Sequence, residues 1–248
     1  MLSNISYKFS AIADFSSIQF NQDTLLKLLQ GFAGENWVPN MMQMPTPNGY
    51  VTGGGIQLFS EQNNRNIALM PNRFDIQWSA EQKQGFSKEE QKTAFKEMPE
   101  QLKKVYAIFG DAIPEAMRLA WDVIYAYFEI DEETRKRFRD RFVKDTPFYT
   151  EHAVDEFATN YVARTEVDIA GIKEPMNVVT NINRWFPEAG MGFRVDGYRI
   201  EFDINTNQWN KKTRFSPAMF DEFVAKSVEI QRLLEKEVLN GCDESMGL

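Results

Sequence analysis

Cysteine and histidine are almost missing from this chain of 248 residues, with Cys242 and His152 as their single representatives. A lone cysteine rules out an internal disulfide framework and a cysteine-rich zinc site, and it fits a reducing compartment. A lone histidine rules out a paired-histidine metal motif, and any Ser-His-Asp or Cys-His arrangement would have to use His152. Long apolar runs are missing too. No window reaches the roughly 20 uninterrupted apolar residues that a bilayer-spanning helix needs. Residues 1–8 lack the basic and apolar regions of a signal peptide. A positive excess is also lacking. The net charge of −8 makes the surface as a whole repel a phosphate backbone, although a local basic patch can override this. The expectation is a soluble, cytoplasmic protein with no membrane association and no cofactor.

What is present speaks of a packed core. Apolar residues make up 43% and aromatics 13%, including 20 Phe, which excludes a disordered chain. The length allows one large domain or two small ones.

Periodicity suggests a strand over residues 5–19, then a helix over 22–33 with Leu25, Leu28, Leu29 and Phe32 on one face. Residues 37–50 hold three prolines and three methionines and read as an irregular connection. A strand over 51–59 contains Gly53-Gly54-Gly55, where a bend or bulge is expected. Residues 67–70 and 73–78 should pair across Pro71-Asn72. Ser87 and Glu90 form a capping box for a helix burying Phe95, Met98, Leu102, Val105 and Phe109, which Pro99 should kink or split.

The second half follows a similar course. Residues 118–129 are strand-like, Asp131 caps a helix with Phe138 and Phe142, and residues 156–169 and 176–184 are extended. Asp196-Gly197 is the strongest hairpin signal, with arms at 190–195 and 198–204. Ser216 and Pro217 open a last helix lined by Phe220, Phe223, Val224, Val228, Leu234 and Val238. The expected fold is α+β, built from two similar lobes, each a mostly antiparallel sheet packed by helices. Residues 1–111 form one lobe and 112–248 the other, as an internal duplication would produce.

Few residues promise chemistry. His152, Asp155 and Glu156 would share a helical face and could hold a divalent cation, but an acidic helix start is the more ordinary explanation. Asp203-Ile204-Asn205-Thr206-Asn207 opens like a calcium loop, yet Gln208 and Arg214 stand where glycine and a bidentate glutamate are required. Asp203 and Asn205 are more simply read as strand-end residues bonding nearby backbone. The stretch of Arg135, Lys136, Arg137, Arg139, Arg141 and Lys144 puts six cations and one anion, Asp140, within ten residues. It suggests contact with an anionic partner, set against a solvated helix whose cations complement its C-terminal dipole. Trp185-Phe186-Pro187 and Trp209 lie in or beside turns, as contact residues or as plugs of the core edge.

The block at 203–207, the Phe-rich terminal helix and Asn181-Ile182-Asn183-Arg184 together resemble a sporadically distributed family of uncharacterised bacterial proteins associated with mobile or accessory loci. The resemblance covers the last third of the chain. It implies a bacterial or phage accessory protein and brings no catalytic residues.

Three functions compete. The first is a non-enzymatic binding or assembly protein with a protein partner or a homo-oligomeric state, acting through the 135–144 segment and exposed aromatics. The second is a metal-dependent hydrolase or nuclease using carboxylates near His152 or Asp203. The third is nucleic-acid binding through the basic helix.

Overall fold

A computed structural model describes residues 2–34, 36–45, 51–60, 64–80, 85–128, 131–143, 146–147, 151–152, 157–185 and 197–239. In chain order the elements are β1 (Leu2–Ile12), α1 (Gln22–Gly31), β2 (Val38–Pro45), β3 (Val51–Ser60), β4 (Arg65–Met70), β5 (Arg73–Ser79) and α2 (Lys88–Phe109). There follow β6 (Arg118–Phe128), α3 (Glu132–Phe142), β7 (Ala158–Ile169), β8 (Ile172–Trp185), β9 (Gly197–Thr206) and α4 (Phe220–Leu234). The fold is α+β.

All nine strands join one antiparallel sheet in the order β2-β3-β4-β5-β1-β6-β9-β8-β7. The two segments on either side of residue 111 therefore do not carry separate sheets. β1 pairs with β6 from Leu2 to Ile12, with one bulge between Asn4 and Ser6. On each side of this central pair the arrangement is alike. The opening strand lies innermost, the strand that precedes the closing helix lies beside it, and the meander runs outward.

Alternation along the central strands decides which face the helices cover. Tyr7, Phe9 and Ala11 of β1, Phe74, Ile76 and Trp78 of β5, and Trp121, Val123 and Tyr125 of β6 are buried on one side. Phe9 meets Phe220 and Phe223 of α4 at 5.5 and 5.8 Å between ring centroids, and Tyr7 meets Phe95 of α2 edge-on at 5.2 Å. Such aromatic pairs add about 0.5–1.5 kcal/mol each beyond their buried area. Some of the polar groups carried into this core find partners there. The Trp121 indole N–H donates to Gln231 Oε1 at 3.0 Å, and Gln231 Nε2 donates to Tyr125 Oη at 2.9 Å and Glu235 Oε1 at 2.8 Å.

The capping box forms as expected, with Ser87 N donating to Glu90 Oε2 at 2.8 Å and Glu90 N to Ser87 Oγ at 3.3 Å. Asp131 caps α3 through Thr134 N at 2.7 Å. Other expectations change. Residues 38–45 form a strand, because an edge strand tolerates the missing N–H of Pro39 and Pro45. Pro99 does not split α2, which runs from Lys88 to Phe109. Pro99 is itself buried, as are Met98 and Leu102 on the same helix, so packing offsets the lost hydrogen bond. Residues 198–204 pair with β8 on one side and β6 on the other, while Asp196 and the expected arm at 190–195 lie outside the described residues. A tight turn lies at Ala170-Gly171, both at positive φ (52° and 81°). Ser216 makes no side-chain cap, and a single 3-10 turn, Pro217–Met219, leads into α4. At Gly55 a Cβ would stand 2.8 Å from the Leu69 carbonyl oxygen, so β3 and β4 approach closely there.

Candidate functional site

The sheet face opposite the helices carries a line of charge. Lys8 Nζ lies 2.7 Å from Asp122 Oδ2, and Asp203 stands directly across from Asp122 in the β6/β9 register. Burial, reinforced by the neighbouring Asp122 charge, pushes the Asp203 carboxyl up to about 6, while a hydrogen bond from Asn205 Nδ2 at 2.8 Å opposes the shift. Asp75, on β5, pairs with Arg73 at 2.9 Å and is also raised by burial, opposed by the Ser10 hydroxyl. Three carboxylates from separate strands thus share one face, which sequence spacing could not show. They are matched by Lys8 and Arg73. Among the described residues no group of three His, Cys, Asp or Glu side chains is placed to hold a metal ion. His152 is exposed, and Asp155 and Glu156 lie outside the described residues.

The 203–207 block has a structural role. Thr206 Oγ1 accepts from Leu119 N at 3.0 Å, and Asn207 N donates to Glu174 Oε1 at 3.2 Å. Arg214, at the end of the following loop, grips Glu174 with two bonds, Nε to Oε2 at 3.0 Å and Nη2 to Oε1 at 2.6 Å. Its third nitrogen donates to the backbone carbonyls of Met117 and Lys212. This clamp fixes the β9 exit to β8. Trp209, in the same loop, is 74% exposed.

The basic segment lies on α3. Phe138 is buried and stacks on Tyr198 at 4.4 Å between centroids, which anchors the helix to the sheet. Arg139 pairs with Asp140 at 3.2 Å, and Arg141 donates to the Glu237 carbonyl. Lys136, Arg137 and Arg141 are exposed, whereas the side chain of Arg135 and all of Lys144 lie outside what is described. Part of the positive charge thus ties α3 to the body, and Lys136 and Arg137 face solvent.

The two edges of the sheet differ. β2 carries Pro39 and Pro45 and an irregularity between Gln43 and Pro45, all devices that discourage another strand from pairing. β7 has none of these. It is 12 residues long, contains neither proline nor lysine, and keeps an unbroken register with β8 from Ala158 to Ile169. Residues 160–166 are all exposed, with Tyr161 at 50% and Val162 at 57%. An extended segment was legible here, but its edge position was not. The available signal was polarity on both faces of residues 158–168, since a covered strand alternates. No protein-family model matches the chain, and no curated protein matches it at a significant level.

Proposed function

We propose that this chain is a non-enzymatic binding or assembly protein that works through protein–protein contacts, in the setting of a bacterial or phage accessory function. The supporting observation is β7, a long edge strand with exposed apolar side chains, no proline or lysine and no bulge. Strand addition at such an edge gains main-chain hydrogen bonds for the partner and pockets for alternate side chains. The exposed cations of α3, with Arg135 and Lys144 beside them in sequence, form a second contact for an acidic protein surface or a nucleic acid.

Amide hydrogen exchange tests the reading. In native lysate, the amides of Val162, Arg164, Glu166 and Asp168 should become protected relative to the dilute isolated chain. Glu166→Pro should abolish both that protection and the capture of partners, with circular dichroism unchanged. Lys136→Glu with Arg137→Glu reports on the second contact, whose loss should be steep in salt if the partner is a nucleic acid. Unprotected β7 amides, together with capture indifferent to either variant, would remove the proposal.

The lobes at 1–111 and 112–248 are further proposed to derive from one duplicated unit, on the strength of the matching strand order around β1 and β6. Fragments cut between 111 and 112 should then reassemble through the β1/β6 ladder when co-expressed. Fragments that stay apart in gel filtration would count against two lobes.

A further inference from the structure

We infer that the occupant of the β7 edge is the β7 edge of a second copy of this chain, paired antiparallel about a twofold axis at Thr165. This rests on the protein-binding reading above and narrows it to self-assembly through one continuous sheet.

The direction of the free backbone groups follows from two contacts. Pro175 sits opposite Glu166, and its carbonyl accepts from Asn207 N at 3.0 Å, on the side away from β7. Glu166 therefore turns its own N–H and C=O away from β8. The two-residue turn gives the same parity. Ile169 and Ile172 face each other across Ala170-Gly171 as a hydrogen-bonded pair, so every second residue back from Asp168 points outward. Val162, Arg164, Glu166 and Asp168 belong to the outer row, which no strand pairs with among the described residues. Two such rows can meet antiparallel only where outward residues oppose outward residues.

Charge then selects among the few registers that remain. An axis at Arg164 sets arginine against arginine, and one at Glu166 sets glutamate against glutamate at its centre, which is unfavourable across a strand pair and offsets its two Arg164–Asp168 pairs. An axis at Ala163 puts Val162 opposite Arg164 and matches no charges. With the axis at Thr165, Arg164 opposes the second copy's Glu166 twice over. On the other face Tyr161 opposes Ile169 and Ala163 opposes Val167. In the isolated chain Glu166 has Lys173 3.9 Å away with both side chains largely exposed, so its carboxylate can turn to a new partner. Helices of both copies lie on the same side of the joined sheet, because paired residues share parity. A single strand pair buries little area, so the dimer should dissociate in the micromolar range.

Sedimentation equilibrium of the full chain should show a monomer–dimer equilibrium. Arg164→Glu alone, and Glu166→Arg alone, should each weaken self-association roughly ten- to hundredfold. The double exchange Arg164→Glu with Glu166→Arg should restore it. Thr165→Cys in a Cys242→Ser background should cross-link on oxidation, since that pair places Cα atoms about 4.5 Å apart. Ala163→Cys in the same background should not. A monomer at every concentration, no rescue by the double exchange, or a dimer that cross-links through position 163 and not 165 would each overturn the inference. A chain that stays monomeric while lysate still protects its β7 amides would remove the dimer and leave the protein-binding reading standing.

Discussion

Arg214→Met is expected to cost about 3–5 kcal/mol, the range for breaking one half of a buried ion pair, and to lower the melting temperature by about 6–20 °C. The Glu174 side chain is 3% exposed and that of Arg214 is 11% exposed, so removing the guanidinium leaves a carboxylate with little water to replace it. Asn207 N remains as a donor to Glu174, but a neutral amide does not balance a full charge. The carbonyls of Met117 and Lys212 lose their donor as well. Adding Glu174→Leu to Arg214→Met should recover part of the loss, because the uncompensated charge goes while the carbonyls stay unpaired. Urea titration followed by far-ultraviolet circular dichroism would measure both variants. A single variant within 1 kcal/mol of the parent (about the size of one ordinary hydrogen bond) would show that the loop at 207–214 is not held by this pair. The effect should be local as well as global: amides of the loop should exchange faster than those of α2.

That clamp also shows where sequence reading stops. Glu174 and Arg214 are charged residues forty positions apart, with no spacing rule to join them. Arg214 was visible as a residue that spoils a calcium loop, not as one half of an ion pair. Local signals fared well. The Ser87–Glu90 box, the Asp131 cap and the Pro71-Asn72 hairpin each depend on contacts within a few residues, and the structure has all three. Pro39 and Pro45 misled in the opposite direction, because proline argues against a central strand but not against an edge. Asp196-Gly197 was a strong turn signal, but Asp196 lies outside the described residues, and the partners of the strand that follows are β6 and β8, both chosen by long-range packing. The turn at Ala170-Gly171 carried no such signal, since alanine rarely takes positive φ. Glu222 Oε2 accepts from Ala170 N at 2.9 Å, so α4 helps hold that conformation from a distant part of the chain. Of the interaction surfaces, the cations of α3 stand out in composition. The β7 edge becomes visible only once the strand order is known.

Asp203→Asn should stabilise the protein at pH 8, by about 1–3 kcal/mol, the scale set by a carboxyl raised from 3.8 to about 6 on folding. The sign follows from the direction of the shift. Burial and the adjacent Asp122 hold the Asp203 carboxyl at about 6 in the folded chain, above its ordinary value of 3.8. Between those two pH values the folded state keeps a proton that the unfolded state has released, so stability falls as pH rises through the window. Above pH 6 the cost is complete and constant; below pH 4 both states are protonated and it vanishes. Asparagine removes the charge while its carbonyl can still accept from Asn205 Nδ2, so the local hydrogen bond survives. The variant should therefore flatten the stability profile between pH 4 and 6 and meet the parent at the acid end. Lys8→Met should act in the other direction at pH 8, because it strips Asp122 of a cation 2.7 Å away and leaves two facing carboxylates. Thermal melts of the three proteins across this range would decide the matter. A neutral or destabilising Asp203→Asn at pH 8 would mean that the charge line on the sheet face opposite the described helices carries no net electrostatic cost.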